Sequence, residues 1–171
     1  MDLDEVAKTG GDAADRQTAV MYMLARYVLA KAYYLNQDSI SNVNQAYREH
    51  HKNEVANIRD DHKRLVMDEF HRTSKAQAVR DQVIVDMREG RKWKVQIALL
   101  SQSIEDFSSQ MVDFATSVFI MDAGPEQAVR RTSEVFGLTS TARLALKQSV
   151  RGPRAGGATF LAQFATKQRV L

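Results

Sequence analysis

Asp68 and Glu69 follow directly on the apolar run Leu65-Val66-Met67. That order delivers two adjacent carboxylates at the carboxyl end of a strand, where open α/β sheets place their ligands. In phosphoryl chemistry such a pair divides the work. One carboxylate holds the shell of a Mg²⁺ ion, and the second orients and deprotonates the attacking water. Asp68 is the candidate metal ligand and Glu69 the candidate base. The same five residues also suit a strand end followed by a solvated acidic turn. A second apolar run, Val95 to Leu100, ends in Ser101-Gln102-Ser103 and puts an amide where the first run puts carboxylates.

The histidines offer a different chemistry. His50, His51, His62 and His71 lie close in sequence to Glu49, Glu54, Asp60 and Asp61, which invites a metal reading. No compact ligand spacing is present, and adjacent histidines such as His50 and His51 point to different sides of a helix, so the cluster reads as a polar helix surface. Cysteine is absent. That excludes disulfides, thiolate metal sites and a cysteine nucleophile, and it suits a reducing cytoplasm.

These residues must be positioned by a chain of 171 residues with 24 Lys or Arg against 21 Asp or Glu. The length supports one domain with a buried core. A net charge of +3 does not by itself announce nucleic acid, because a dedicated binder concentrates its basic excess on one face. With 2 prolines and 44% hydrophobic residues, an ordered and largely helical chain is expected. The amino terminus lacks the basic region and apolar core of a secretory signal. The most membrane-like stretch, Ala19 to Leu35, carries Arg26 near its middle, and a central charge costs about 2.5–3.5 kcal/mol even on the lenient insertion scale. It reads instead as a helix outside the membrane, with Val20, Met23, Leu24, Tyr27, Val28, Tyr34 and Leu35 on one apolar stripe that Lys31 interrupts.

Along the chain, Gly10-Gly11-Asp12 marks a loop and Asp15 is placed to cap the first helix. Asn36 to Asn44 is a polar break, and Tyr47 to Lys63 is a charged, solvated helix. A strand at Leu65, a helix from Ser74 to Glu89 and a strand from Val95 follow, then a third apolar run at Ser117 to Met121. Non-alternating runs of this kind are expected of parallel strands covered on both faces, giving a three-layered α/β architecture. After Gly124-Pro125 a helix runs to Phe136 and Gly137. Thr139 or Ser140 caps another, Arg151 to Gly157 forms a basic hairpin-like loop, and Ala158 to Phe164 supplies a last strand, for which an antiparallel place at the sheet edge is open.

Leu65 to Glu69 resembles a Walker B motif. Three longer stretches, Lys63 to Thr73, Val83 to Trp93 and Gln96 to Ser103, resemble the carboxyl-terminal part of the VirB-four-like ATPases of conjugation and type IV secretion, with the closest likeness in the Dot/Icm and IncI-conjugation branch. Arg16 to Arg26 and Gly152 to Phe164 also read as family-like, so the likeness covers nearly the whole chain. It implies a partial RecA-like P-loop NTPase domain, α/β with a mainly parallel sheet flanked by helices. Residues 1–171 would form a single domain, mostly helical over 1–63, with the Walker B and sensor strands in 64–123 and helices and a final strand in 124–171. The implied activity is ATP hydrolysis with Mg²⁺ in a homo-oligomeric, hexameric ring that works with other secretion-system ATPases and inner-membrane components to move protein or DNA. The implied place is the bacterial cytoplasm, at the cytoplasmic face of the inner membrane. Gln102 resembles the polar sensor of such motors, which hydrogen-bonds the lytic water or the γ-phosphate. Arg91, with Arg88 and Lys92 beside it, resembles an arginine that faces the neighbouring subunit's nucleotide; a solvated helix end complementing its dipole is the alternative. Arg72 and Lys75 could contact phosphate or pair with Glu69.

One departure dominates. No Gly-x-x-x-x-Gly-Lys-Ser/Thr loop occurs, and that loop supplies the backbone nest and lysine that hold the β- and γ-phosphates. The tract Gly152 to Thr159 precedes a strand and offers Ala158 after Gly157 where the lysine is needed, so it is no substitute. The expectation is an amino-truncated part of a motor, inactive by itself. Two alternatives stand beside it: a non-catalytic assembly or docking module without its own nucleotide site, and a carboxylate metal hydrolase built on Asp68, Glu69 and His71.

Overall fold

The computed structural model describes residues 11–35, 37–73, 76–122 and 124–165, so the expectations for the amino-terminal residues, Asn36 and Lys75 lie outside the described residues. The chain is mixed α/β and forms two compact units, Met1–Asp106 and Phe107–Leu171.

In the first unit, α1 (Asp12–Tyr33) and α2 (Arg48–Asp60) are joined by 3-10 turns at Gln37–Asn42 and Gln45–Tyr47, and β1 (Lys63–Met67), α3 (Gln77–Glu89) and β2 (Val95–Leu99) follow. Gly11, at φ 89, precedes α1, and no side chain caps it, so the expected cap at Asp15 is not formed. α2 buries only Val55, as its charge predicts. β1 and β2 pair in parallel, Lys63 opposite Val95 through Met67 opposite Leu99. The crossover between them is α3, which buries Val79 and Val83 completely.

Two expectations fail here for physical reasons. The apolar stripe of α1 is not its buried face: Val20, Leu24, Tyr27 and Val28 are exposed, while Thr18 and Tyr22 are buried. The helix is held in that rotation by polar contacts. Arg26 forks onto the buried carboxylate of Asp86 on α3, its Nε donating at 2.8 Å, and Tyr22 donates its hydroxyl to the Met67 sulfur. Neutralising a carboxylate that is 2% exposed outweighs burying a few more aliphatic groups. β1 also alternates, with Lys63, Leu65 and Met67 inward and Arg64 and Val66 outward. Helices therefore cover one face of this strand, and it is not sandwiched in the expected three layers. No described helix is long and apolar enough to cross a membrane.

The second unit contains α4 (Ser109–Phe114), β3 (Ser117–Ile120), α5 (Glu126–Val135), α6 (Ser140–Gln148), β4 (Arg151–Arg154), β5 (Gly157–Thr159) and β6 (Leu161–Phe164). Its core gathers Ile120, Val129, Leu146 and Val150, with Phe136 and Leu161 packed against them. Thr139 caps α6 by accepting the Ala142 N–H, and Gly137 takes φ 60 after α5. β4 and β5 form the basic hairpin. β3 pairs antiparallel with β6, so the third apolar run does not extend the parallel sheet. A parallel partner needs a crossover, whereas β6 returns to β3 in the opposite direction. Among the described residues the parallel sheet has two strands, and the expected mainly parallel sheet is replaced by three small two-stranded ones.

Candidate functional site

The register of β1 and β2 brings their carboxyl ends level, and two further backbone bonds tie them beyond the ladder. Leu100 N–H donates to Met67 O, and Phe70 N–H donates to Leu100 O, each at 2.9 Å. Between these fixed points the chain must reverse within two residues. It does so at Glu69, which takes φ 52 and ψ 42, a left-handed conformation that costs an L-residue roughly 1–2 kcal/mol. The turn is pinned from below by Phe70, which is wholly buried, and by Thr73, whose hydroxyl donates to Phe70 O at 3.0 Å. Asp68 accepts the Glu69 N–H on Oδ1 at 2.9 Å, which leaves Oδ2 as the oxygen available to a cation.

Asp68, Glu69 and Gln102, expected together from the strand order, meet at this edge. The Gln102 amide donates to both Glu69 carboxylate oxygens at 3.3 Å. His71 Nδ1 lies 3.1 Å from Glu69 Oε2. From sequence His71 reads as a polar surface residue or a metal ligand; in the structure it stands in the 3-10 turn Phe70–Arg72 beside Glu69, a contact that becomes an ion pair when the imidazole is protonated. Glu69 is thus held by the Gln102 amide and flanked by His71, with its side chain 40% exposed. Such a carboxylate can accept a proton from a water in front of it.

The donor set decides which metal could fit. Among the described residues no group of three or more His, Cys, Asp or Glu could hold a metal ion, which excludes a cage built from those side chains. One or two carboxylates do fit Mg²⁺, which keeps several waters and takes its remaining ligands from substrate phosphates.

Arg91 lies elsewhere. It sits in the 3-10 turn Gly90–Trp93, before the amino end of β2, whereas Asp68, Glu69 and Gln102 follow the carboxyl ends. A five-residue strand separates the two ends by about 16 Å. Arg91 cannot act on a ligand held by Glu69 of its own chain. Nor does Gly90, just before it, lend it backbone freedom, since Gly90 has a helical φ of −52. Its lack of a side chain is needed for space, because a Cβ there would meet Val95 O at 2.6 Å.

No protein-family model, no curated protein and no solved structure matches this chain. Function is therefore argued from the site itself.

Proposed function

We propose that this chain supplies the hydrolytic half of an ATPase site: Asp68 holds Mg²⁺, Glu69 activates water and Gln102 senses the γ-phosphate. The observation that supports this most is the hydrogen bonding of Glu69 by the Gln102 amide, at the end of a parallel β-α-β crossover and in a conformation that favours glycine. The phosphate cradle would come from a segment or chain outside this sequence. The RecA-like fold, the hexameric ring and the link to type IV secretion or conjugation at the inner membrane rest on the sequence resemblance. Arg91, facing away from the carboxylates, would serve a neighbouring subunit's nucleotide.

The isolated chain should hydrolyse ATP negligibly, since no cradle holds the γ-phosphate in line. In a ring that contains the cradle, Asp68→Ala should weaken Mg-ATP binding and turnover together, because it removes a metal ligand. Arg91→Ala should leave binding by a single subunit unchanged and lower turnover only at concentrations where the ring assembles. Isotherms and steady-state rates below and above assembly test both, and a silent Arg91→Ala at every concentration would end its assignment. A docking module is the second reading, favoured by the exposed stripe of Val20, Leu24, Tyr27 and Val28 on α1. Efficient ring assembly with no loss of turnover on changing Asp68 or Glu69 would favour it.

A further inference from the structure

The amino end of the β1–β2 pair forms an open groove lined by His62, Lys63, Arg64, Arg91, Lys94, Val95 and Gln96. Its charge is unusual for the chain. Segments 59–64 and 88–94 carry seven Lys or Arg against three Asp or Glu, a larger excess than the +3 of the entire sequence. The basic residues are thus concentrated at one place, which composition alone does not reveal. Part of this charge is committed internally, Lys94 to Asp60 and the Lys63 ammonium to Ile58 O, and Arg64 and Arg91 carry what the groove can offer. Arg64 spends only Nε, donating to Gln96 Oε1 at 2.8 Å on the exposed face of the sheet, and Arg91 forms no ion pair among the described residues. The Lys63 ammonium is pushed to a lower pKa by partial burial, with the Asp61 charge opposing the shift and that of Lys94 adding to it. Lys94 is fixed at the mouth in a left-handed conformation, φ 53, with its ammonium on Asp60.

The lining also indicates what kind of anion fits. Val95 is the one aliphatic side chain in it, and Val95 is buried, so nothing projects to enter a bilayer or to fill the ridges of an acidic helix. The aromatic nearby, Trp93, is half-buried and already engaged by the Arg59 and Lys92 cations and by the Tyr34 ring, contacts that compete with base stacking. What remains is a row of guanidinium and ammonium donors suited to phosphates in succession.

We propose that this groove binds the sugar–phosphate backbone of single-stranded nucleic acid without base specificity. The inference does not depend on the roles given to Asp68, Glu69 and Gln102, because the groove and the carboxylates occupy opposite strand ends; it shares Arg91 with the neighbouring-nucleotide reading, and Arg64, which that reading does not use, separates the two. The test uses the full chain and a fluorescent oligothymidylate of about 16 nucleotides, the upper site size of a small single fold, with anisotropy read from about 50 to 200 mM salt. Binding should weaken with salt at a log–log slope of about −2 to −3, as three or four phosphate contacts dictate at ~0.7 each. Arg64→Ala and Arg91→Ala, both exposed substitutions, should each lower the slope's magnitude by about 0.7, one single-strand phosphate contact, and Arg91→Glu should weaken binding further than Arg91→Ala. Arg130→Ala, which removes a basic residue paired with Glu134 in the second unit, should change nothing. Circular dichroism of each variant checks that the fold is kept. Absence of binding at the lowest salt overturns the proposal. So does binding whose slope ignores both arginines, or tighter association with phosphatidylserine vesicles or polyglutamate than with the oligonucleotide.

Discussion

Glu69 occupies a backbone conformation that glycine would adopt without strain, so Glu69→Gly should stabilise the first unit. The left-handed conformation at φ 52 and ψ 42 costs an L-residue roughly 1–2 kcal/mol. Against that relief, glycine gives the unfolded chain extra freedom worth about 0.4–1 kcal/mol. The substitution also removes the contacts to Gln102 and His71, which are partly exposed and near 3.3 and 3.1 Å, so their loss costs little. Relief less the unfolded-chain term lies between about zero and about 1.6 kcal/mol, so a gain of about 0.5 kcal/mol is expected once the weak contacts are subtracted. Urea unfolding reads it, since a slope of about 1–3 kcal/mol per molar converts such a gain into a midpoint shift of a few tenths molar. The chain has one tryptophan, Trp93, placed in the first unit between Tyr34 and Arg59. Its fluorescence therefore follows the unit that matters. Glu69→Val should shift the midpoint the other way, because a β-branched residue tolerates φ above zero least. A residue kept at local cost where another would be more stable is the mark of a working position. If Glu69→Gly lowers the Trp93 midpoint, the side chain is a structural fastener and that argument fails.

Three further outcomes follow from packing and charge. Arg26→Ala should destabilise the chain by about 3–5 kcal/mol by leaving the buried Asp86 carboxylate without its cation, whereas the double change Arg26→Met with Asp86→Leu should be near neutral or better; denaturant titration of the three proteins separates these. Gly90→Ala should cost at least about 1–3 kcal/mol, because its Cβ would meet the Val95 carbonyl at 2.6 Å and the β2 entry must shift to admit it; thermal melts monitored at Trp93 report it. In the second unit, Lys147 holds the Glu126 carboxyl below the usual carboxylate range, with help from Arg143. The folded pKa is depressed, so the stabilisation is present above the unfolded value of about 4.3 and disappears as pH falls through the folded one. Melts across that window should show the loss, and Lys147→Ala should shrink it.

How far the sequence could be read depended on how local each signal was. The strand–helix–strand order from Lys63 to Leu99, the Thr139 cap and the hairpin at Arg151–Arg154 each follow from a few adjacent residues, and the meeting of Asp68, Glu69 and Gln102 follows from that order once β1 and β2 are parallel. The rotation of α1 did not. An amphipathic stripe predicts burial only when hydrophobic area decides, and here one buried ion pair, Arg26 with Asp86 sixty positions away, turned the stripe outward. The pairing of β3 was also illegible, since an apolar run of four residues has the same appearance in parallel and antiparallel sheets. The left-handed turn at Glu69 had no signal at all, because the residue types that announce such turns, glycine and asparagine, are absent there. The basic groove escaped because its two segments are about thirty residues apart and only the β1–β2 register unites them.

The central claim is that Glu69 activates water in an ATP-hydrolysing site, and Glu69→Gln tests it most directly. The amide keeps the shape but cannot accept the proton. In the assembled motor, Mg-ATP binding should therefore stay near the parent value while turnover falls by about 10²–10⁴-fold, the usual contribution of a positioned general base. Paired isotherms and steady-state rates on the same preparations give both numbers. Parent turnover in Glu69→Gln, with binding intact, would contradict the account.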